Sequence, residues 1–485
     1  MTGLLSRWFR SYAFWTALLM LAGVLRVFQV AWHTPMIGYA NQADMGRMHN
    51  CFGIWPDRQD INVFAGYAKA PINRYKMGGP ADPEDCYQSS EKLFVQLGIL
   101  AGKLKNYWFD RPQQQLELQT IGLVKAAILC LTGCWLSWLY RRRPPAALAH
   151  AAIFAMVIAD PYNTLWLNTL YTEFAALYFV YLSAALAHYL LTTGKPGLLI
   201  KLAFLASLFL LGTAKMQHLL LPTLLGGMVL LARLRMFRQE QLFSVGIVVV
   251  CLAVLLVQQQ VDNRHMRFVK AANAADTYFG AVLPAMHEPV QGVRLLGLPD
   301  KCAHFVGYTW YQQHGIDLGK ECPEVFSVPR WRLLRVIAHD PKLVLNMLKR
   351  ALPETKEWNI GYLGQIEGAD FAGIDSLSWR FFSFATWVQS LPLKVFMWLY
   401  ILFGLAWLYA AVKFLRFLFQ RRGEVPWLVL ISSSVVWMVI FASIFGDGYS
   451  EVAKHAHLSY GFFQVLTFAL VVGWPMSIFQ KNPIA

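Results

Sequence analysis

Ten continuous apolar runs punctuate the chain, near residues 12–31, 117–140, 146–159, 165–191, 198–214, 217–232, 241–257, 393–412, 425–445 and 456–475. Most approach the ~20 residues that cross a bilayer as a helix, and none alternates as a barrel strand would. The pattern predicts an all-α polytopic membrane protein of about ten transmembrane helices. Runs five and six are short and meet at Lys215-Met216-Gln217-His218, which marks kinked or half-depth helices; run three is short too. The first run leads into a polar loop without a small-residue cleavage site, so it reads as a retained span and not a signal peptide.

Two polar regions interrupt the runs and divide the chain into a first span (1–31), a first loop (32–116), a bundle (117–257), a second extramembrane region (258–392) and carboxy-terminal spans (393–485). In the first loop, Trp55-Pro56-Asp57 and the stretch from Gly78 to Pro83 are turn signals. Leu93, Phe94, Leu97, Leu100, Ala101 and Leu104 share one helical face that ends in Tyr107-Trp108-Phe109, as expected of a helix lying along a membrane surface. In the second region Pro284, Pro289 and Pro299 forbid long helices, and a small mixed domain with basic helices around Trp331–Ile337 and Lys342–Leu352 is expected. No internal repeat is visible, which argues against an inverted-repeat transporter.

Composition agrees: of 485 residues 56% are hydrophobic and 15% charged, against roughly 25% charged in a soluble chain. The formal charge of +15 would ordinarily raise nucleic-acid binding. Its distribution says otherwise. With a cytoplasmic amino terminus, the short cytoplasmic connections hold 14 bases, Arg7, Arg10, Arg141, Arg142, Arg143, Lys195, Arg233, Arg235, Arg238, Lys413, Arg416, Arg421, Arg422 and Lys481, against Glu240 and Glu424 alone. Loop 32–116 is nearly balanced, with nine bases and eight acids. This positive-inside asymmetry orients both large loops outward, toward the periplasm of a bacterial inner membrane, and removes nucleic acid as a partner. Cys51, Cys86, Cys302 and Cys322 all fall in those loops. An oxidising compartment permits Cys51–Cys86 and Cys302–Cys322 bridges, one of the three connectivities that four cysteines allow; four free thiols are the other reading.

Candidate chemistry gathers at the outer helix ends. One cluster runs from Asn41 through Asp44 and Arg47 to His49; a second holds Asp160, Asn163, Tyr171 and Glu173; the third is Lys215 to His218; the fourth carries Asp447, Glu451, Lys454, His455 and His457. Each has a structural explanation when taken singly. Lys215 can snorkel from a helix end, Glu451 and Lys454 can be a helix-face ion pair, and Glu173 can be neutralised by a neighbour. Together on one face they suggest a single site, because ionisable groups near bilayer depth are kept where they face a wet or ligand-filled cavity. The layer offers a carboxylate able to act as general base, Asp44, and cations suited to a phosphate, Arg47, Lys215 and Lys454 with His455 and His218 nearby. No dinucleotide fingerprint, P-loop, nucleophile elbow or zinc motif is present, and the His455-Ala456-His457 pair is too little for zinc.

Several blocks resemble the GT-C superfamily of integral membrane glycosyltransferases. These are the first span followed by a large loop with an early acid (Asp44), the stretch 160–173 (DPYN…LYTE), the KMQH turn at 215–218, EVAKHAHL at 451–458, and Tyr278-Phe279-Gly280-Ala281-Val282-Leu283-Pro284 followed by Leu295-Leu296-Gly297-Leu298-Pro299. The pattern is similar to a bacterial branch of cell-envelope and S-layer glycan hexosyltransferases. The resemblance implies hexosyl or pentosyl transfer, with inversion, from a polyprenyl-phosphate sugar to a periplasmic glycan, lipid or protein acceptor. It places Asp44 at the family's first-loop catalytic acid. That family often shows paired acids there, whereas this chain has Asp44 followed by Arg47, with Glu91 or Glu173 as the candidate second acid. The resemblance supplies no required cofactor and leaves a divalent metal open. A lipid-linked glycan flippase and a glycan polymerase or ligase, the latter using Arg330, Arg332 and Arg335, are the alternatives from other classes.

Overall fold

A computed structural model describes residues 11–40, 43–57, 68–194, 196–236, 240–260, 264–310, 312, 314–357, 360, 362–374, 383–420, 424–449 and 451–472. Asn41, Lys195, and the bases Arg7, Arg10, Arg238, Arg421, Arg422 and Lys481 lie outside them. Each apolar run contains an apolar helix among the described residues. Seven are long and apolar enough to cross a membrane, and three shorter apolar helices, Pro144–Ile158, Leu198–Gly212 and His457–Val471, complete the ten.

Helix α1 (Tyr12–Ala31) starts at Ser11, whose side chain accepts from the Phe14 amide at 3.2 Å, and α2 (Ala43–Phe52) follows in the first loop. Strands β1 (Ile54–Pro56), β2 (Arg74–Met77) and β3 (Gln115–Glu117) form an antiparallel sheet in the order β1-β2-β3, with Ile54 opposite Met77 and Arg74 opposite Glu117. Between β2 and β3 lies α3 (Glu91–Trp108). It exposes the leucine stripe Leu93, Leu97, Leu100 and Leu104 and the terminal aromatics, and buries Glu91, Phe94, Val95, Gly98, Gly102 and Asn106 against α4 (Leu118–Leu139). The amphipathic pattern therefore does set its two faces. Gly122 on α4 is required by close approach: a Cβ there would lie 1.7 Å from the Asn168 side-chain oxygen, and Asn168 itself donates to the Ile37 carbonyl at 2.7 Å.

The bundle continues through α5 (Pro144–Ile153), which passes into a π-helical turn at Phe154–Ile158, then α6 (Glu173–Thr192), α7 (Leu198–Gly212), α8 (Leu221–Met236) and α9 (Gln241–Gln260). Helix α6 is the buried centre of the molecule. Arg233 and Arg235 lie in the last turn of α8, whose first turn follows the Lys215–His218 turn, so the basic end and the candidate site occupy opposite ends of one spanning helix.

The region after α9 departs from the expected mixture of strand and helix. Its described residues form α10 (Arg264–Ala275), a π-helical turn at Asp276–Val282 and a series of short helices, while the three named strands all belong to the first loop. Proline explains this: Pro289 occupies the first turn of Pro289–Leu295, so it shortens helices without abolishing them. Helices α11 (Leu393–Gln420), α12 (Trp427–Asp447) and α13 (His457–Val471) close the bundle, with α12 and α13 extensively packed.

Both expected disulfides are present, Cys51–Cys86 and Cys302–Cys322. Mass spectrometry of unreduced, denatured protein should therefore find these four thiols protected from alkylation while Cys130, Cys134 and Cys251 react. Cys302→Ser should cost about 2–4 kcal/mol of stability. Alkylation of all four would remove the bridges from the fold.

Candidate active site

The first loop is held against the bundle at α7. The Cys51–Cys86 bridge ties the last turn of α2 to the segment leading into α3. There Ser90 donates through its side chain to the Leu210 carbonyl at 2.8 Å, the Ser90 amide donates to Thr213, and the Met216 amide donates to the Tyr87 hydroxyl at 3.0 Å. These contacts carry Asp44 and Arg47 to the Lys215 turn. From the other side, the α12–α13 connector brings in Glu451, Lys454 and His455. Gly448 has φ of +65°, and a Cβ there would sit 2.3 Å from the Asp276 carbonyl oxygen, so the connector can close on the second region only with glycine at this position. Glu451 is also left-handed, at φ +49°, a conformation that non-glycine residues adopt mainly where surrounding contacts enforce it.

The clusters meet around one cavity of about 760 Å³. Asp44, in the first turn of α2, pairs with Arg47 at 2.7 Å and with Lys454. Lys454 also pairs with Glu451 at 3.1 Å, and the Tyr362 hydroxyl donates to Glu451. Lys215 pairs with Glu173 at 2.8 Å and approaches His455 Nδ1 at 3.1 Å, while His455 Nε2 lies 2.5 Å from Asp447. Burial pushes the Asp44 carboxyl up, but Arg47 and Lys454 outweigh it and hold the group well below the usual carboxylate range. For Glu451 burial raises and Lys454 lowers more, so it too is held ionised. Lys454 is buried, yet Asp44 and Glu451 keep it firmly protonated.

Two layers are distinct. Asp44, Arg47, Lys215, Asp447, Glu451 and His455 line the cavity. Lys454, Glu173, Tyr171 and His218 are buried and outside its lining. Lys454 holds two wall carboxylates with its ammonium 5.4 Å from the Tyr171 ring centroid, and Glu173 holds Lys215. Asp160 and Asn163 do not join this network. Asp160 caps the helix Pro161–Thr164 and accepts from Ser383 Oγ at 2.9 Å and the Phe384 amide at 2.7 Å, with Arg26 at 3.4 Å; Asn163 donates to the Val157 carbonyl at 2.7 Å. An aspartate before proline at a helix start is a capping signature, which accounts for that placement. Glu91, a candidate second acid, is likewise elsewhere. It is wholly buried and pairs with Lys125 at 2.6 Å.

Four polar lining residues escaped the sequence reading as site groups: Tyr87, Lys270, Asn273 and Asp276. Asp276 carried the one usable signal, an acid embedded in an apolar stretch, as Glu173 is. Of the arginines at 330, 332 and 335, only Arg330 lines the cavity; Arg332 donates to the Leu296 carbonyl and Arg335 stacks on Trp331. Apart from Tyr87 and Gln217, the remaining wall is apolar, with Leu219 and Leu220 before α8, Met438, Phe441, Ala442 and Phe445 on α12, and Phe326, Val328 and Leu333 from the second region. A charged head and a hydrocarbon wall share one space.

The family model of the YfdI N-terminal transmembrane domain matches residues 6–482. The chain belongs to this family. No curated protein and no solved structure matches it. The YfdI match spans all ten apolar helices and both extramembrane regions, so every residue of the cavity falls within the family domain. Among the described residues the cavity contains no cluster with metal-ligand geometry; the one such group, Cys302, Cys322 and Glu324, includes a disulfide and lies outside the lining.

Proposed function

We propose that this protein is a membrane glycosyltransferase that moves a sugar from a polyprenyl-phosphate donor to a glycan, lipid or protein acceptor, on the periplasmic side of the inner membrane. The observation that carries this reading is the cavity itself, whose cations adjoin an apolar wall supplied by two membrane-spanning helices. A phosphate-linked polyprenol has that same division. In this reading Arg47, Lys215 and His455 receive the phosphate, and the prenyl chain lies along Leu219, Leu220, Met438 and Phe441. Membership of the YfdI family and the basic residues at the opposite helix ends support the reaction class and the orientation. As the sugar leaves, charge builds on the phosphate, and fixed cations stabilise it most at that point. The acceptor hydroxyl must lose its proton to a carboxylate of the wall, and attack opposite the leaving phosphate inverts the anomeric carbon.

The test is transfer from a panel of polyprenyl-phosphate hexoses and pentoses by the purified chain in lipid nanodiscs. Lys215→Ala should weaken binding of polyprenyl phosphate by roughly tenfold or more through loss of a charge-assisted contact, and should lower turnover with it. Wild-type affinity for polyprenyl phosphate in that variant would remove Lys215 from the phosphate seat, and absence of transfer from every donor would overturn the reading.

A further inference from the structure

Asp276 opens the π-helical turn Asp276–Val282, directly after α10, and lines the same cavity as Asp44. π-Helical turns recur at functional sites because the inserted residue re-aims the side chains around it. Asp276 is 1% exposed, and its Oδ1 accepts from the Trp310 amide at 2.6 Å. No cation pairs with it among the described residues, whereas Asp44 is gripped by Arg47 on one side and Lys454 on the other. A carboxylate stabilised by two cations has little affinity for a proton; one held by a single backbone amide in a desolvated wall has much more.

Resting on the sugar-transfer reading above, we propose that Asp276 is the general base that takes the proton from the acceptor hydroxyl, and that Asp44 positions Arg47 for the donor phosphate. In this step the acceptor oxygen forms its bond to the anomeric carbon as its proton passes to an Asp276 carboxylate oxygen. The bond from the anomeric carbon to the phosphate oxygen breaks with its electron pair, leaving polyprenyl phosphate at Arg47, Lys215 and His455. The protonated Asp276 then returns its proton to water.

The surroundings fit the role. Burial pushes the Asp276 carboxyl up, the Trp310 amide offsets part of this, and the negative charges of Asp447 on α12 and Glu451 in the connector push it further, to about 7. Lys270 of α10 and Arg330 line the cavity as the cations of that side. The packed helix Leu283–Ala285 contributes no titratable group, and from Leu343–Glu354 none lines the cavity.

Initial rates of transfer from a polyprenyl-phosphate sugar in nanodiscs, measured across acid to mildly alkaline pH, decide the matter. The wild type should gain about tenfold per pH unit below neutrality and level off above it, because the base is available only when ionised. Asp276→Asn should lose roughly 10²–10⁴-fold in turnover, lose the acid limb, and bind polyprenyl phosphate as the wild type does. Asp276→Glu should keep a reduced rate with a displaced limb. A wild-type rate that is flat from acid to neutral pH would overturn the proposal without any variant, since that is what Asp44, ionised throughout, would give. An Asp276→Asn protein as fast as the wild type would overturn it while leaving the sugar-transfer reading standing. Absence of transfer by the wild type would overturn both.

Discussion

A chain carrying Lys454→Met should lose at least about 10²-fold in sugar transfer, the scale of removing one fixed charge that organises a developing anion. It should also unfold at lower temperature in detergent. The cause is local. Lys454 is almost fully buried, and it is the shared counter-charge of Asp44 and Glu451. Methionine fills the volume and supplies no charge, so Glu451 faces Asp44 with no cation between them, and Asp44 keeps only Arg47. Breaking a buried pair by removing one partner costs about 3–5 kcal/mol; water reaching Asp44 and Glu451, whose side chains are 24% and 33% exposed, places this case at the lower end. The double variant Lys454→Met with Asp44→Asn removes one of the opposed charges and should recover much of the stability. It should not recover transfer, because Arg47 then lacks the carboxylate that positions it. The two readouts are melting by size-exclusion chromatography in detergent and transfer in the same preparation. A double variant as unstable as the single one would mean that Lys454 supports something other than Asp44.

The second large effect is expected behind the cavity wall, at Glu91 and Lys125, neither of which lines it. Both are fully buried and 2.6 Å apart, and the pair is embedded further: Glu91 accepts from the Ala175 amide at 3.0 Å, and Lys125 donates to the Thr169 carbonyl at 2.7 Å. This joins α3, α4 and the start of α6 through one network. Lys125→Met leaves a carboxylate with no cation in an apolar setting and should cost about 3–5 kcal/mol. Replacing both, Glu91→Leu with Lys125→Met, should be far milder, because a buried pair exchanged for packed hydrocarbon is often neutral or stabilising. Melting temperatures of the two singles and the double form the cycle. A single variant that melts with the wild type would show that the pair is solvated.

The helices were legible because a bilayer imposes length and apolarity on each run separately, and both can be read from a short window of sequence. The disulfides were legible as one of three possible pairings, because four of the seven cysteines fall in the two large polar regions. The site was legible as four clusters but not as two layers. Nothing local distinguishes Arg47, on the cavity wall, from Lys454, behind it, since that depends on contacts across 410 residues. Asp160 was grouped with the site because it lies near Glu173 in sequence; its capping bonds and its partners Ser383 and Phe384 turn it elsewhere. Glu91 stands as a candidate second acid in the sequence because it opens a helix expected at the membrane surface, and the lysine that neutralises it lies on the next helix. Asp276 has the signal of an acid in an apolar stretch, but its place beside Asp44 in one cavity comes only from the fold.

The span of 410 residues between Asp44 and Lys454 has a consequence for biogenesis. The amino-terminal half of the electrostatic arrangement enters the membrane long before its counter-charge is translated. Until α12 and α13 are inserted, Asp44 has only Arg47, and Glu173 and Lys215 have only each other. Assembly of the reactive centre therefore coincides with insertion of the last two helices. Under the proposed function, a ribosome-bound or prematurely terminated product would occupy the membrane without drawing sugar from the polyprenyl-phosphate donor, and so would leave that shared pool to complete chains.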